Sequence, residues 1–257
     1  MAIKCNNQDS IKLSISKTIR YRQEYSRGPY NKSNDKEQWI RLSEGCPNDC
    51  EYCRETKYCG KKPIYFEIPE IVRNKVVIID MNLLYKPKAL EIIKELGKKR
   101  VNGKVIYYEL NRGVDWRYIT QEMADALKES RFKRIRFAWD LGLEYQYKIH
   151  DCYRCFIRAG YRKKDLSCFI ICNWKITHKE CLVKLDLLKI WGIKVVNSYF
   201  DQQKFKGIKP IYWTFKELQD YNRKCKQHNE MVLFGINPRI KPWDSSQKSI
   251  FEAIEAA

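Results

Sequence analysis

Short apolar segments alternate with longer amphipathic segments along most of the chain. The apolar segments are "QWIRLS", "KVVIID", "KVIYYEL", "RIRFAW", "LSCFIIC" and "IKVVNSYF". Their length and their content of β-branched and aromatic residues predict six strands. Because most of them are nearly continuous apolar runs, they are typical of strands that are covered on both faces of a sheet.

The longer segments between these strands predict helices that bury one face. Four of them are "KPKALEIIKELGKKR", "RYITQEMADALKES", "EYQYKIHDCYRCFIRAG" and "THKECLVKLDLLKIWG". The last two end in Gly160 and Gly192, and glycine commonly follows the last turn of a helix. Strands that alternate with helices are parallel and are joined by right-handed crossovers. The sequence therefore predicts an α/β fold, with either a barrel-like sheet or an open doubly wound sheet.

The two ends of the chain depart from this alternation. Residues 1–35 are polar and rich in lysine, and "YSRGPYNKSNDKEQ" is typical of a loop that leads into a fold. Residues 36–205 contain the alternating segments and form the expected core. Residues 206–257 predict an amphipathic helix at about 214–228 and then a short strand, "MVLFG". The residues after this strand are basic or aromatic, among them Arg239, Lys241 and Trp243.

Length and composition are those of a folded globular protein. The chain has 257 residues, of which 44% are hydrophobic, enough to bury a substantial core. No run of about 18 apolar residues predicts a membrane-spanning helix, and the amino terminus lacks the apolar stretch of a secretory signal. We therefore expect a cytoplasmic protein. In a reducing compartment, its 11 cysteines do not predict a disulfide framework.

The chain is strongly basic, with a formal net charge of +19. Clustered lysine and arginine side chains bind nucleic acid by releasing counterions from its phosphates. Many of the lysines here alternate with glutamates along predicted helices, as in "KPKALEIIKELGKKR", and that pattern is also typical of a solvated helix face. The charge alone leaves both interpretations open.

One segment, "LSEGCPNDCEYCRET", concentrates three cysteines directly after the first predicted strand. A structural zinc site needs four ligands, usually supplied as two pairs, so Cys59 would have to join Cys46, Cys50 and Cys53. The residues around these cysteines are too polar for three unrelated core thiols. Three thiolates on one loop suit an iron–sulfur cluster in which one iron has no protein ligand.

With this CxxxCxxC motif after the first strand, and with an aromatic residue, Tyr52, before its last cysteine, the sequence resembles the radical S-adenosylmethionine (SAM) superfamily. The resemblance implies an α/β fold built as a partial, six-stranded (β/α)6 barrel of the TIM type. It implies that Cys46, Cys50 and Cys53 bind three irons of one four-iron, four-sulfur cluster, while SAM binds the fourth iron. An external donor such as flavodoxin or ferredoxin would supply an electron that cleaves SAM to methionine and a 5′-deoxyadenosyl radical, which abstracts hydrogen from a substrate.

The resemblance also implies that residues at the carboxyl ends of the strands bind SAM, together with Tyr52. Asp80 and Asn82, at the end of the second strand, are expected to hold the SAM amino group, although both are also common turn residues. Asp140, at the end of the fourth strand, is expected at the ribose or at the methionine carboxylate.

Weaker expectations concern the last two strands and the substrate. Three residues are expected near the adenine: Ile171, Asn173 and Asn197. Three residues after the third strand are expected near the substrate: Glu109, Asn111 and Arg112. Arg112 is more typical of an exposed loop arginine than of a substrate contact. The register of these strands is uncertain by one residue, which would turn each side chain to the other face.

Other cysteines raise the question of a second cluster. Cys152 and Cys155 form a CxxC pair inside a predicted helix, and Cys168, Cys172 and Cys181 follow. The same spacings suit thiols that pack as small hydrophobic groups. We expect buried thiols and no auxiliary cluster.

The sequence leaves two functions open. The first is a radical SAM enzyme with one cluster that acts on a nucleotide, a nucleic acid or a small metabolite. The second is a non-enzymatic nucleic-acid-binding protein whose cysteines hold a structural metal ion. Neither the substrate nor the oligomeric state is predicted.

Overall fold

The computed structural model describes residues 27–48, 50–53, 59–200 and 213–234. The strands of this part of the chain are β1 (Tyr30–Ser33), β2 (Gln38–Arg41), β3 (Ser43–Glu44), β4 (Ile64–Tyr65), β5 (Lys75–Ile78), β6 (Arg100–Val101), β7 (Lys104–Val105), β8 (Tyr107–Leu110), β9 (Ile135–Ala138), β10 (Leu166–Cys172) and β11 (Lys194–Tyr199). The helices are α1 (Ala89–Lys98), α2 (Gln121–Glu129), α3 (Gln146–Arg158), α4 (His178–Trp191) and α5 (Phe215–Phe234).

The strands expected from the sequence correspond to β2, β5, β8, β9, β10 and β11. They lie in two sheets of the described chain: β2, β5 and β8 are parallel neighbours, with β1 antiparallel to β2. The second sheet is parallel, with β10 between β9 and β11. Helices α1 to α4 connect consecutive strands, which gives the expected α/β alternation.

Two single parallel bridges join the edges of these two sheets. Tyr108 of β8 pairs with Phe132, and Val114 pairs with Phe137 of β9. The chain after β8 therefore turns at residues 111–113 and then rejoins the neighbouring strand. The pairing of Val114 with Phe137, rather than the end of β8, places the next residue, Asp115, at the carboxyl end of the strands.

The core lies between the strands and the helices that cover them. Phe137 of β9 stacks on Phe156 of α3, and Trp139, directly after β9, stacks on Trp191 of α4 at a centroid distance of 5.8 Å. Alternate residues of a strand point to opposite faces. Arg136 therefore lies on the face of β9 that points away from the helices, and Asp140 follows shortly after the end of this strand.

Two sequence-based expectations at the ends of the chain are wrong. The segment expected to be a loop before the core contains strand β1. The strand expected from "MVLFG" is not formed over residues 231–234, because α5 continues to Phe234. Tyr221, Cys225 and His228 are the buried residues of this helix, and their spacing is that of one helix face. Residues 239–243 of the basic, aromatic tail lie outside the described residues.

The cysteines beyond the first loop are buried in the described structure. Cys152, Cys168 and Cys181 are at most 3% exposed, and desolvation raises the pKa of each thiol. Among the described residues, no three histidine, cysteine, aspartate or glutamate side chains converge on the position of a single metal ion. None of the helices of this part is long and apolar enough to cross a membrane.

Candidate cofactor site

The cysteine loop begins where β2 ends. Its base is closed by β3, which pairs with β4, and by a hydrogen bond from the Cys46 N–H to the Gly60 carbonyl at 3.2 Å. Gly45 has φ +94°, and a side chain there would collide with the carbonyl of Lys62. Glycine is required at this position because of both the backbone angle and the close approach.

The three motif cysteines are half-buried in this loop. The Cys53 N–H donates to the Cys50 carbonyl at 2.8 Å, so the last two cysteines share a tight turn. Burial raises the pKa of Cys50, and a hydrogen bond with Tyr52 opposes this effect. The loop therefore presents its thiols at the carboxyl end of the strands without burying them in the core.

Tyr52 ties the cysteine loop to the second sheet. Its hydroxyl donates to Asp140 Oδ2 at 2.9 Å, and its ring meets Trp174 edge to face at 6.0 Å. Desolvation raises the pKa of Asp140 to about 6, although the Tyr52 hydroxyl and the Ile171 N–H both favour the ionised carboxylate. Asp140 follows β9, so it lies at the carboxyl ends of the parallel strands, a region called the mouth below, and one of its oxygens accepts a hydrogen bond from the loop.

Asn82 and Asp115 connect the loop to the first sheet. The Asn82 amide donates to Cys46 Sγ at 3.8 Å and to Asp115 Oδ2 at 3.1 Å. Asn48, from the cysteine loop, donates to the same Asp115 oxygen at 2.9 Å. Arg117 pairs with Asp115 at 2.8 Å. Asp115 thus accepts hydrogen bonds both from the cysteine loop, through Asn48, and from the end of β5, through Asn82.

Asn82 Oδ1 is buried and has no hydrogen-bond partner among the described residues. An unpaired buried acceptor costs about 1–3 kcal/mol, and an ammonium donor from a ligand would remove this cost. The residue also has φ +44°, a left-handed conformation that asparagine tolerates better than most residues. The sequence-based expectation that Asn82 holds an amino group fits this geometry.

Asp80 is used differently from the expectation. One of its oxygens accepts the Leu42 N–H at 2.8 Å and the other accepts the Ser43 hydroxyl, and the residue is only 3% exposed. Both oxygens are therefore engaged in holding the chain that leads into the cysteine loop. The expected contact of Asp80 with SAM is replaced by this supporting role.

Lys86, which the sequence analysis missed, lies beneath the same loop. It is 2% exposed, and its ammonium group donates to the Met81 and Asn82 carbonyls at 2.6 and 3.3 Å. Burial lowers its pKa, while the negative charges of Asp80 and Cys46 oppose this effect. Lys86 therefore fixes the backbone at Met81 and Asn82, and the amide of Asn82 contacts Cys46 Sγ.

The three residues expected near the adenine lie in β10, directly after β10 and in β11. Ile171 is 5% exposed and Asn173 is 6% exposed, and Asn173 follows β10 with φ +59°. Asn197 of β11 is exposed and donates to Asn222 of α5. Its side chain therefore points to the outer helix layer, and the expectation that Asn197 contacts adenine is wrong.

The residues expected near the substrate are also placed differently. Glu109 is paired with Arg136 and, at 3.7 Å, with Arg134, and it lines a cavity that extends to the amino ends of the strands. Asp115, instead of Glu109, lies at the mouth, because the chain pairs with β9 after the turn at residues 111–113. Asn111 and Arg112 lie in that turn, and Arg112 is exposed. The sequence did contain a signal for Asp115, because in "GVDW" an aspartate directly follows an apolar residue.

The donor set fits the iron–sulfur cluster that the motif implies. Each thiolate of such a cluster binds a different iron, so the three sulfurs need not converge on one point, as they would for a single ion. Cys46, Cys50 and Cys53 stand on one accessible loop, and the unpaired Asn82 oxygen lies beside Cys46. These residues would hold the cluster and the amino group of its ligand.

No protein-family model matches the sequence, and no curated protein matches it. Solved structures do resemble its fold. A radical SAM methyltransferase, TsrM from Kitasatospora setae with cobalamin and a [4Fe-4S] cluster bound, matches with a TM-score of 0.52 and 12% identity over 63% of this chain. Coproporphyrinogen III oxidase (HemN) from Escherichia coli, described as a radical SAM enzyme, matches with a TM-score of 0.51 and 13% identity over 75% of this chain.

These matches cover only part of the known structures, namely 36% of the methyltransferase chain and 52% of the oxidase chain. The shared part is the alternating arrangement of strands and helices, with identities too low to carry activity or substrate. The chain described here thus has an α/β fold like that of radical SAM enzymes.

Proposed function

We propose that this protein is a radical SAM enzyme whose active site is the carboxyl end of its parallel strands. The observation that carries the proposal is the cysteine loop itself. Its three motif cysteines follow β2 and are tied by Tyr52 to Asp140 and by Asn82 to Asp115. A structural zinc site does not require hydrogen bonds from its loop to both sheets. A cofactor that is held between the two sheets does require them.

When bound, a reduced four-iron, four-sulfur cluster supplies the electron that cleaves SAM to methionine and a 5′-deoxyadenosyl radical, which abstracts hydrogen from the substrate. Cys46, Cys50 and Cys53 would hold the cluster, and Asn82 Oδ1 would accept a hydrogen bond from the SAM amino group. Tyr52 fixes the loop through its bond to Asp140. Flavodoxin or ferredoxin is the class of electron donor that the reaction requires.

In this proposal, the two sheets belong to one partial barrel. The bridge between Val114 and Phe137 supports a partial six-stranded barrel that runs from β2 to β11, with residues 36–205 as its core. The polar extension, residues 1–35, and the carboxyl-terminal region, residues 206–257, flank this core. We propose one cluster only, because Cys152, Cys168 and Cys181 are buried and desolvation raises the pKa of each thiol, which disfavours the thiolate form that binds iron.

The test is the metal content and the SAM chemistry of the purified protein. We expect anaerobically reconstituted protein to be brown, to hold about four irons, and to release 5′-deoxyadenosine from SAM when dithionite is added. Colourless protein that contains zinc and leaves SAM intact would overturn the proposal. That outcome would support the second candidate, a nucleic-acid-binding protein with a structural metal ion.

A nucleic acid or nucleotide is the substrate class that the surface beside the mouth favours. Trp116 packs against Tyr145 at 5.7 Å, Arg117 lies over Trp116 at 5.5 Å, and Lys148 lies within 5.9 Å of both rings. Aromatic rings interleaved with cations stack on bases and bind phosphates. This aromatic and basic patch adjoins Asp115, so a base bound there would lie next to the site.

We expect a nucleic acid to bind this patch through several phosphates. Its affinity for tRNA should fall steeply between about 50 and 200 mM salt, because counterions are released on binding. Lys148→Ala should weaken binding and reduce the salt dependence, whereas Lys226→Ala, on the exposed side of α5, should change neither. Fluorescence anisotropy with labelled tRNA at two salt concentrations makes the measurement. No complex at about 50 mM salt would favour a small-molecule substrate.

A further inference from the structure

A cavity of about 220 Å³ opens at the end of the strands opposite to the cysteine loop. It lies beside the amino ends of β5, β8 and β9. Seven residues line it: Asn74, Lys75, Tyr107, Tyr108, Glu109, Lys133 and Arg134. None of them has a role in the proposed reaction. The cavity is smaller than the about 300–1,000 Å³ of typical sites for drug-sized ligands, so it suits a small head group.

Two cations of the cavity are available to a ligand. The Lys133 ammonium lies 3.4 Å from the centre of the Tyr107 ring, and no carboxylate of the described residues lies within ion-pair distance of it. The Arg134 side chain is 70% exposed and is 3.7 Å from Glu109. That distance is too long for a good hydrogen bond. Arg134 can therefore turn to an anion at the cost of a weak ion pair, and Lys133 at the cost of its contact with Tyr107, which is worth about 0.5–1 kcal/mol at an exposed site.

Positive charge exceeds negative charge around this cavity. Lys75 is neutralised by Glu37, and Arg136 by Glu109. Arg134 shares Glu109, at 3.7 Å, with Arg136, and Lys133 has no ion pair among the described residues. Desolvation lowers the pKa of nearby Lys194 of β11, the charge of Asp165 opposes this effect, and the charges of Arg134 and Arg136 lower the pKa further. The cations around the cavity therefore outnumber its carboxylates, and a bound anion would bring the charges closer to balance.

The backbone at Arg134 also departs from ordinary geometry. Its φ is +54°, in the left-handed region that costs a residue other than glycine about 1 kcal/mol or more. Arg134 lies directly before β9, and it is one of the residues that line the cavity. Strained residues of this kind concentrate at ligand sites.

We propose that this cavity binds a phosphate or diphosphate group, held by Lys133 and Arg134 with the Asn74 amide beside them. The size of the cavity, the two cations without a full partner and the excess of positive charge all favour this ligand chemistry. The proposed radical chemistry takes place at the other end of the strands, so this site does not depend on it. The phosphate would belong to a small ligand that regulates or anchors the enzyme rather than to the reacting group.

The test uses the full chain with its cluster reconstituted, titrated with pyrophosphate by calorimetry at constant ionic strength. We expect saturable binding to one site. The double variant Lys133→Ala with Arg134→Asn should bind at least about tenfold more weakly, because two charge-assisted hydrogen bonds are lost. Asparagine is chosen because it tolerates the left-handed backbone. Lys226→Ala, which removes one positive charge from the outer surface, is the matched control and should bind as the unmodified protein does.

A second variant tests the same site from the opposite direction. Glu109→Gln removes the carboxylate that competes for the cations, so it should bind pyrophosphate more tightly. Equal affinity in the double variant and in Lys226→Ala, or weaker binding by Glu109→Gln, would overturn the proposal, as would no binding by the unmodified protein. Comparing inorganic phosphate, pyrophosphate and ADP identifies the source of the phosphate group. Iron content and SAM cleavage, measured on the same samples, report separately on the proposed function.

Discussion

Replacing Cys46, Cys50 or Cys53 with alanine is expected to remove most of the iron and to abolish reductive cleavage of SAM. Each thiolate binds its own iron, so the loss of one ligand exposes the cluster to solvent and to disassembly. Cys59→Ala is the matched control, because Cys59 is half-buried in the same loop region and close enough to Lys86 to influence its pKa. That variant should retain both iron and activity.

Iron analysis, the visible absorption of the cluster and chromatography of 5′-deoxyadenosine make the measurement on anaerobic samples. Loss of iron and of activity in Cys59→Ala would contradict the assignment and would indicate a closed site with four cysteine ligands. Such a site leaves no iron open to SAM. The comparison among the four variants therefore distinguishes a catalytic cluster from a structural metal site.

Asp80→Ala is expected to lower the free energy of unfolding by about 3 kcal/mol, because it removes two buried hydrogen bonds and leaves Lys86 as an uncompensated buried charge. Ser43→Ala, which removes only one of these bonds, should cost about 1 kcal/mol. Urea unfolding of the metal-free proteins makes the measurement. The sequence alone predicted a loss of SAM affinity instead, and an Asp80→Ala protein of unchanged stability with weakened SAM binding would restore that interpretation.

The pH dependence of this effect has a definite sign. Desolvation raises the pKa of Asp80 from 3.8 to about 6, so the folded protein binds a proton that the unfolded chain has already released. This extra proton binding by the folded protein adds to its free energy of unfolding. The contribution is fully present below about pH 4 and is lost as the pH rises through about 6. Asp80→Asn should lack this component, so the stability of the unmodified protein relative to Asp80→Asn should decrease over the same range.

Local pattern was sufficient to predict the main parallel strands and the helices between them, but not β1 or the two-residue strands β3, β4, β6 and β7. The apolar segments that became β2, β5, β8, β9, β10 and β11 are recognisable because burial on both faces demands continuous apolar residues. The starts of α2 and α4 are equally local: Thr120 and Thr177 accept hydrogen bonds from the N–H groups of Met123 and Glu180. The cysteine loop was also found from the sequence, because its spacing lies within one short segment.

The sequence was less informative where an element had more than one local solution. The apolar residues of "MVLFG" suit a strand as well as the last turn of a helix, and the helix is formed because it continues from α5. On β11, a shift of one residue exchanges the two faces of the strand. Asn197 consequently binds Asn222 of the outer helix layer instead of facing the site.

The partners of the buried polar groups were decided only by the tertiary structure. Asp80 binds Ser43, which is 37 residues earlier in the chain, and Asp115 binds Asn48, which is 67 residues earlier. No periodic pattern carries information over such distances, because a pattern reports which face is buried and not which strand lies opposite. The sequence by itself therefore determined the strands, the helices and the cysteine loop, while the packing of the two sheets decided which polar residues support that loop and which remain open to a ligand.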